Sequence, residues 1–271
     1  MKNTALALTV FVIASAAFAQ QTPGEIIASL NWQKAPAVGK VSDKAEIKLV
    51  GSLQFLDAPN TAQFLKANGN LSQQTSYTIV NANGKANWFA ILQYADAGYV
   101  KDDEKIDPDT LLASLKEGNI KNNAEKQKQG LPTLTLLDWY FPPRYDNNTK
   151  LLEWGTKLQE DSTKQITINV TTKILGRGGY TSAILVSEPS SLEFDLADFK
   201  QAIKNYDYVS GEKYREWKEG DKVAAYGLGA LVLGGAAAVA TKKGGLKLLW
   251  IAVLAGIGAL WAGIKRLVGK K

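Results

Sequence analysis

The sequence predicts an α+β fold, an antiparallel sheet with packed helices, followed by a C-terminal transmembrane helical hairpin. Three observations carry that expectation. Four strand-like segments between residues 133 and 187 are joined by short connections, as in an antiparallel meander. Segments with helical start signals lie before and after them. The C-terminal end holds two long stretches without a charge.

At the N-terminus, Lys2 precedes the apolar run 5–14, and Ala17-Phe18-Ala19 stands before Gln20. Residues 1–19 therefore read as a secretory signal peptide with an A-x-A cleavage site. "TPGE" (22–25) is a capping box: Thr22 caps, Pro23 takes the first helical position and Glu25 reaches back, so a short helix runs to Leu30. "KAEIKLV" (44–50) alternates and "GSLQFLD" follows a glycine, which gives a strand pair or one bent strand. A helix starts after Asp57 and passes through Phe64 and Leu65 to Gly69. "SYTIV" (76–80) and "NWFAILQY" (87–94) are strands joined by the turn "NANG".

"GYVKDDEKIDPDTLL" (98–112) concentrates the carboxylates Asp102, Asp103, Glu104, Asp107 and Asp109. Asp107-Pro108-Asp109 is a helix start, with an acid capping, proline at the first position and a second acid suiting the macrodipole. Leu111, Leu112 and Leu115 then make a buried stripe, and the helix ends at Gly130 and Pro132. Asp102, Asp103 and Glu104 are left as candidate ligand or cation groups. A calcium loop also needs a central glycine and a distal bidentate glutamate, and that glycine is missing. The expectation is a solvated, capped loop without metal, whose three acids can be neutralised with little effect on stability.

"TLTLLDWYF" (133–141), "KLLEWGTKLQ" (150–159), "KQITINVTTKIL" (164–175) and "GYTSAILVS" (179–187) form the meander. With the first turn centred at 146–147, Trp139 and Trp154 fall opposite each other, as a cross-strand aromatic pair or a ligand platform. Arg177 in "LGRGGY" sits at a glycine-rich turn whose amides could cradle an anion, although no helix follows as a phosphate loop requires. Gly178 or Gly179 is expected at positive φ. "PSSLEFDLADFKQAIKNY" (189–206) returns to helix, and "DYVSG" is a last short edge strand. The exported α+β domain thus spans 20–210 and a juxtamembrane linker spans 211–222.

Residues 223–240 and 248–264 carry no charge and are flanked by lysines, with Trp250 and Trp261 suited to membrane interfaces. Small residues recur at Ala230, Gly234 and Ala238 and at Ala255, Ala259 and Gly263, a ladder that lets two membrane helices pack closely. Residues 223–264 therefore read as a hairpin, with one span as the alternative, before the basic tail 265–271. A hairpin puts "TKKGGLK" inside and the tail outside; one span reverses both.

Composition narrows the function. Cysteine and histidine are absent, which excludes thiol nucleophiles, disulfides, imidazole triads and zinc sites built on those ligands. Of 32 basic residues, one lies in 1–19 and seven in 241–271, where there are no acids, so 24 bases face 26 acids over 20–240. The formal charge of +6 is thus a flank effect on a domain of charge −2, and nucleic-acid binding is not expected. No residue is singled out as catalytic, and no cofactor is implied.

"LNWQKAPAVGKVSDKAEIKL", "GYVKDDEKID", "LEW", "LGRGGYTSAILV" and "GDKVAAYGLGALV" together resemble the DUF2167 family of predicted bacterial membrane-anchored proteins, over nearly the whole chain after the signal. The order of elements is also similar to the Mog1/PsbP-like α/β sandwich, in topology alone. The first resemblance implies a bacterial envelope protein, in the inner membrane with its main domain periplasmic, and transfers no activity. The expected function is a non-catalytic binding or assembly module, with membrane lipids and an envelope or membrane protein as partners. A carboxylate-based hydrolase or transferase, aided by a hard cation, is one alternative. A regulator of a membrane partner through the small-residue faces is the other.

Overall fold

A computed structural model describes residues 22–68, 75–128 and 132–234. The signal segment 1–19, the stretch 248–264 and the packing positions Ala238, Ala255, Ala259 and Gly263 lie outside the described residues.

Helix α1 (Pro23–Ser29) starts on the expected capping box, the Glu25 amide donating to Thr22 Oγ1 at 3.3 Å and the Thr22 amide to Glu25 Oε2 at 2.8 Å. The chain continues through β1 (Gln33–Lys34), β2 (Ala37–Val41), β3 (Ala45–Leu49) and β4 (Leu53–Leu56). Helix α2 (Ala58–Ala67) is capped by Asp57, which accepts from the Asn60 amide at 3.0 Å. Strands β5 (Ser76–Asn81) and β6 (Trp88–Ala95) lead to the long α3 (Pro108–Lys128). The meander β7 (Leu134–Asp146), β8 (Leu151–Glu160), β9 (Ile166–Leu175) and β10 (Tyr180–Ser187) precedes α4 (Leu192–Ile203), β11 (Tyr206–Tyr208) and a five-residue helix α5 (Leu228–Val232).

The strands form an eight-stranded antiparallel sheet, β1-β4-β5-β6-β10-β9-β8-β7, and a three-stranded one, β11-β3-β2. Neither the strand pair nor the single bent strand expected from 44–56 forms. Gly51, at φ +57°, turns the chain so that β3 joins the small sheet and β4 the large one. Two strands went unforeseen, β1 and β2. In β2, Gly39 lies against the Phe55 ring so closely that an added Cβ would stand 2.6 Å from it, which lets the small sheet approach the large one.

Alternation along each strand assigns the core to two faces. Toward one face point Trp88, Ala90 and Leu92 of β6, Ala183 and Leu185 of β10, and Val170 and Ile174 of β9, covered by the small sheet and by Phe199 and Ile203 of α4. Toward the other, Phe89, Ile91 and Val186 meet Ile27 and Trp32 near α1 and Phe64 of α2. Farther along that face, Leu152, Trp154, Leu175 and Tyr180 meet Leu111 and Leu115 of α3 and the C-terminal residues Leu228 and Leu231.

Two acids fix α4. Asp195, fully buried, accepts from Ser187 Oγ at 2.6 Å, Ser191 Oγ at 2.7 Å and the Asn87 amide at 3.0 Å. Asp198 accepts from Trp88 Nε1 at 2.8 Å and from Asn81 Nδ2. Three donors lose their acceptor in Asp195→Ala, so that change is expected to cost about 2–4 kcal/mol in urea unfolding with an unchanged m-value.

Candidate functional site

The cover on the first face runs out before the sheet does. Strand β9 contributes Ile168, Val170 and Ile174 to that core, whereas β8 and β7 reach it only through the half-buried Leu151 and Phe141. The overhanging β7–β8 hairpin, α4 and the segment after β11 therefore enclose a cleft of about 960 Å³. Its floor is apolar, with Leu151, Ile174, Phe199 and Ile203, and its wall carries Tyr206 and Tyr208.

The rim is charged and unbalanced. Arg144, Lys150, Lys200, Lys204, Lys213 and Arg215 face Asp146, Glu153 and Asp207, an excess of three positive charges. Glu153 sits between Lys200 at 3.1 Å and Arg144 at 3.6 Å, and Lys213 pairs with Asp207. Lys150 is turned away to Asp102 at 2.7 Å. Among the described residues Lys204 Nζ bonds the neutral Gln201, at 3.0 Å, and neither it nor the exposed Arg215 has an acidic partner. Two cations are thus left over beside an apolar floor, a combination suited to an anionic group carried on an apolar body.

None of the residues singled out from the sequence lines this cleft; two of them, Glu104 and Arg177, instead hold the C-terminal segment to the rest of the domain. Asp102 accepts from Tyr145 Oη and Lys150 Nζ, each at 2.7 Å. Burial opposes its ionisation, but the bonds from Lys150 and Tyr145 hold its carboxyl below the ordinary 3.8. Glu104 accepts from the Gly229 amide at 2.9 Å, and a Cβ at Gly227 would stand 2.3 Å from its carboxylate. Only Asp103 is exposed and unengaged among the described residues. The expectation that all three acids are dispensable is therefore corrected: two of them are structural. Among the described residues no three carboxylates gather where a metal could sit. Asp107 caps α3 as expected, accepting from the Thr110 amide at 3.2 Å and Thr110 Oγ1 at 2.8 Å.

Arg177 is not an open anion cradle. Its guanidinium grips Asp221 with two bonds of 2.7 Å and donates to the Gly211 carbonyl at 3.1 Å. Neither Gly178 nor Gly179 has positive φ; Gly179 is needed because a Cβ would stand 2.0 Å from the Ala95 carbonyl oxygen. The first hairpin turns at 148–149 rather than 146–147, and bulges in β7 pair Trp139 with Thr156, while Trp154 falls between Glu153 and Gly155, which pair with Arg144 and Phe141. The two tryptophans share a hydrophobic cluster without facing each other, and Trp139 Nε1 donates to the Pro108 carbonyl at 3.2 Å.

The stretch expected to enter the membrane at Val223 starts as part of the domain. Tyr99 exchanges bonds of 2.8 Å with the Lys222 carbonyl and the Ala224 amide, and Leu228, Leu231 and Val232 are buried. Ala230 is half-buried on α5, and Gly234, at φ +103°, stands exposed beyond the helix end. No helix among the described residues is long and apolar enough to cross a membrane. The sequence offered no sign of this docking, because Gly227 and Gly229 look the same whether they admit a carboxylate or a neighbouring helix.

The Asp221–Arg177 pair gives this attachment a pH signature. Arg177 and the Lys218 amide hold the Asp221 carboxyl down to about 2 against an ordinary 3.8. A depressed acid stabilises the fold above its unfolded value and loses that contribution as pH falls through its folded value. The melting temperature of Asp221→Asn is expected to lie below wild type at pH 5 and above, and to converge with it as pH falls from 3.8 to about 2.

No curated protein matches the chain. Among solved structures it is similar to cyanobacterial PsbP (CyanoP) from Synechocystis sp. PCC 6803, at 10% identity over 67% of this chain and 93% of that one, with a TM-score of 0.35. A likeness that distant carries no conclusion. The model of the family described as "Protein of unknown function (DUF2167)" matches residues 33–265. With most of its length matched, from the first strand past the second apolar stretch, the chain belongs to the DUF2167 family.

Proposed function

We propose that the chain is a membrane-tethered, exported module without catalytic activity, whose cleft captures an acidic segment of an envelope protein. The observation that carries this reading is charge segregation: a domain of charge −2 leaves two cations, Lys204 and Arg215, without acidic partners among the described residues around one apolar-floored cleft. The alternative of a carboxylate hydrolase gains no support, since Asp102, Glu104, Asp195 and Asp198 are spent on bonds within the fold.

Length favours one membrane span over the hairpin. With 223–234 in the domain, only the six residues 235–240 remain apolar before Lys242. At ~1.5 Å of rise per residue they cover ~9 Å of a hydrocarbon core of ~30 Å. The span is then 248–264, with the basic tail 265–271 on the cytoplasmic side, as the positive-inside tendency favours. Reporter fusions after Lys243 and after Lys271 test it: the first is expected outside the membrane and the second inside, and the opposite pair restores the hairpin.

A photo-crosslinking residue placed at Lys204 in intact membranes is expected to trap a protein, and Arg215→Glu to reduce that adduct about tenfold or more, as loss of one or two kcal/mol of interfacial pairing implies. Equal crosslinking from an exposed position on α1, or no loss in the Arg215 variant, overturns the assignment of the cleft.

A further inference from the structure

Four of the six cations that line the cleft are held by the protein's own acids, and two are not. Asp102 holds Lys150 at 2.7 Å, and Asp207 holds Lys213. Glu153 holds both Lys200, at 3.1 Å, and Arg144, at 3.6 Å. Lys204 and Arg215 are the remainder. The acids nearest in the chain do not serve them. Asp146 accepts from the Asn148 amide at 2.8 Å, and Glu216 from the Gly211 and Lys213 amides, each at 2.8 Å.

Glu153 differs from the other acids in its place. It belongs to β8, two positions from the floor residue Leu151, and its side chain is only 14% exposed. Thr172 Oγ1 of β9 donates to its carboxylate at 3.4 Å. One carboxylate thereby ties Arg144 of β7 to Lys200 of α4 across the cleft. The guanidinium of Arg144 is also held against the Phe141 ring, 4.5 Å from its centre. Glu153 thus stands where a ligand's acid would have to stand to reach these two cations. Only Lys204 and Arg215 are open to one. The floor beside them is apolar, and Ile203 immediately precedes Lys204. Such a floor is best covered by an apolar side chain, and a cleft of about 960 Å³ has room for one with polar flanks.

We infer that Glu153 is the specificity-determining residue of the cleft: by holding Arg144 and Lys200, it selects a segment with one large apolar side chain and two acids beside it. The inference rests on the cleft as a site for an acidic segment and specifies that segment. Two open cations match two negative charges. A third or fourth acid would meet Glu153, Asp146 or Asp207, and like charges on both sides cancel the gain.

The test is fluorescence anisotropy on the full chain in non-ionic detergent at physiological ionic strength. The probes are labelled glycine-serine peptides with one phenylalanine flanked by zero, one, two or four glutamates. Affinity is expected to rise about tenfold with each of the first two glutamates and by less than about threefold from two to four. Changing the phenylalanine to alanine is expected to weaken the two-acid peptide about tenfold. In Glu153→Gln, checked for folding by its melting temperature, the four-acid peptide is expected to bind about tenfold tighter than the two-acid one, because Arg144 and Lys200 are released. A steady rise to four glutamates in the wild type, an unchanged plateau in Glu153→Gln, or no loss with alanine overturns the inference and leaves the acidic segment in place. The wild-type series decides alone where Glu153→Gln does not fold. No binding by any peptide, or binding that Arg215→Glu leaves intact, overturns the reading of the cleft and the inference with it. Tighter binding of octanoate than of the two-acid peptide overturns the segment as the occupant.

Discussion

Everything else in the fold follows from the position of β10, a strand with almost no solvent face. It pairs along its whole length with β6 on one side and β9 on the other, joining the two halves of the large sheet. All but one of its residues are buried, so both faces of the sheet must be covered at its centre. One face takes the small sheet and α4; the other takes α1, α2, α3 and the C-terminal segment. The cleft is the by-product of that arrangement. The cover of the first face is centred on β10 and does not extend over the β7–β8 hairpin, which projects beyond it.

Burying a strand that contains three serine and threonine hydroxyls has polar consequences. Thr181 is satisfied by Tyr206 and Tyr208, which brings β11 onto the sheet. Ser187 is satisfied by Asp195, which sets the start of α4. Ser182 is satisfied by Lys173, and there the solution introduces a charge. Thr181 and Ser187 thus have partners that belong to the covering layer and hold it in place. The third partner comes from the sheet itself and leaves its own surplus unmet.

Most of the fold is legible in the sequence because its signals are local. The Thr22 box, Asp57 and Asp107 mark helix starts by chemistry confined to one turn, and each start falls where that chemistry puts it. The strands of the meander alternate strongly enough to be found. What escapes is set by distant contacts. β2 is short and contains Gly39, whose reason is the Phe55 ring sixteen residues on in a different sheet. The β7–β8 register depends on bulges that no residue type announces. The cleft gathers Arg144, Lys200 and Arg215 from three separate elements, so no window of sequence contains it. Conversely, the residues that look most functional, the acidic run and Arg177, are conspicuous because a docked segment needs many charged ties.

Those ties set the geometry in which the domain works. The C-terminal segment crosses the sheet on the face of Trp154 and Tyr180, and α5 is buried there against Leu152 and Leu175. Arg177–Asp221, Tyr99–Val223 and Glu104–Gly229 fasten it at three points along its course, so the described chain ends against a rigid face rather than on a free linker. The cleft opens on the other side of the sheet. Thirteen residues, 235–247, lie between Gly234 and the apolar stretch 248–264, and the sheet stands between the end of the described chain and the cleft. The three ties therefore fix where the described chain leaves the domain, on the opposite side of the sheet from the cleft.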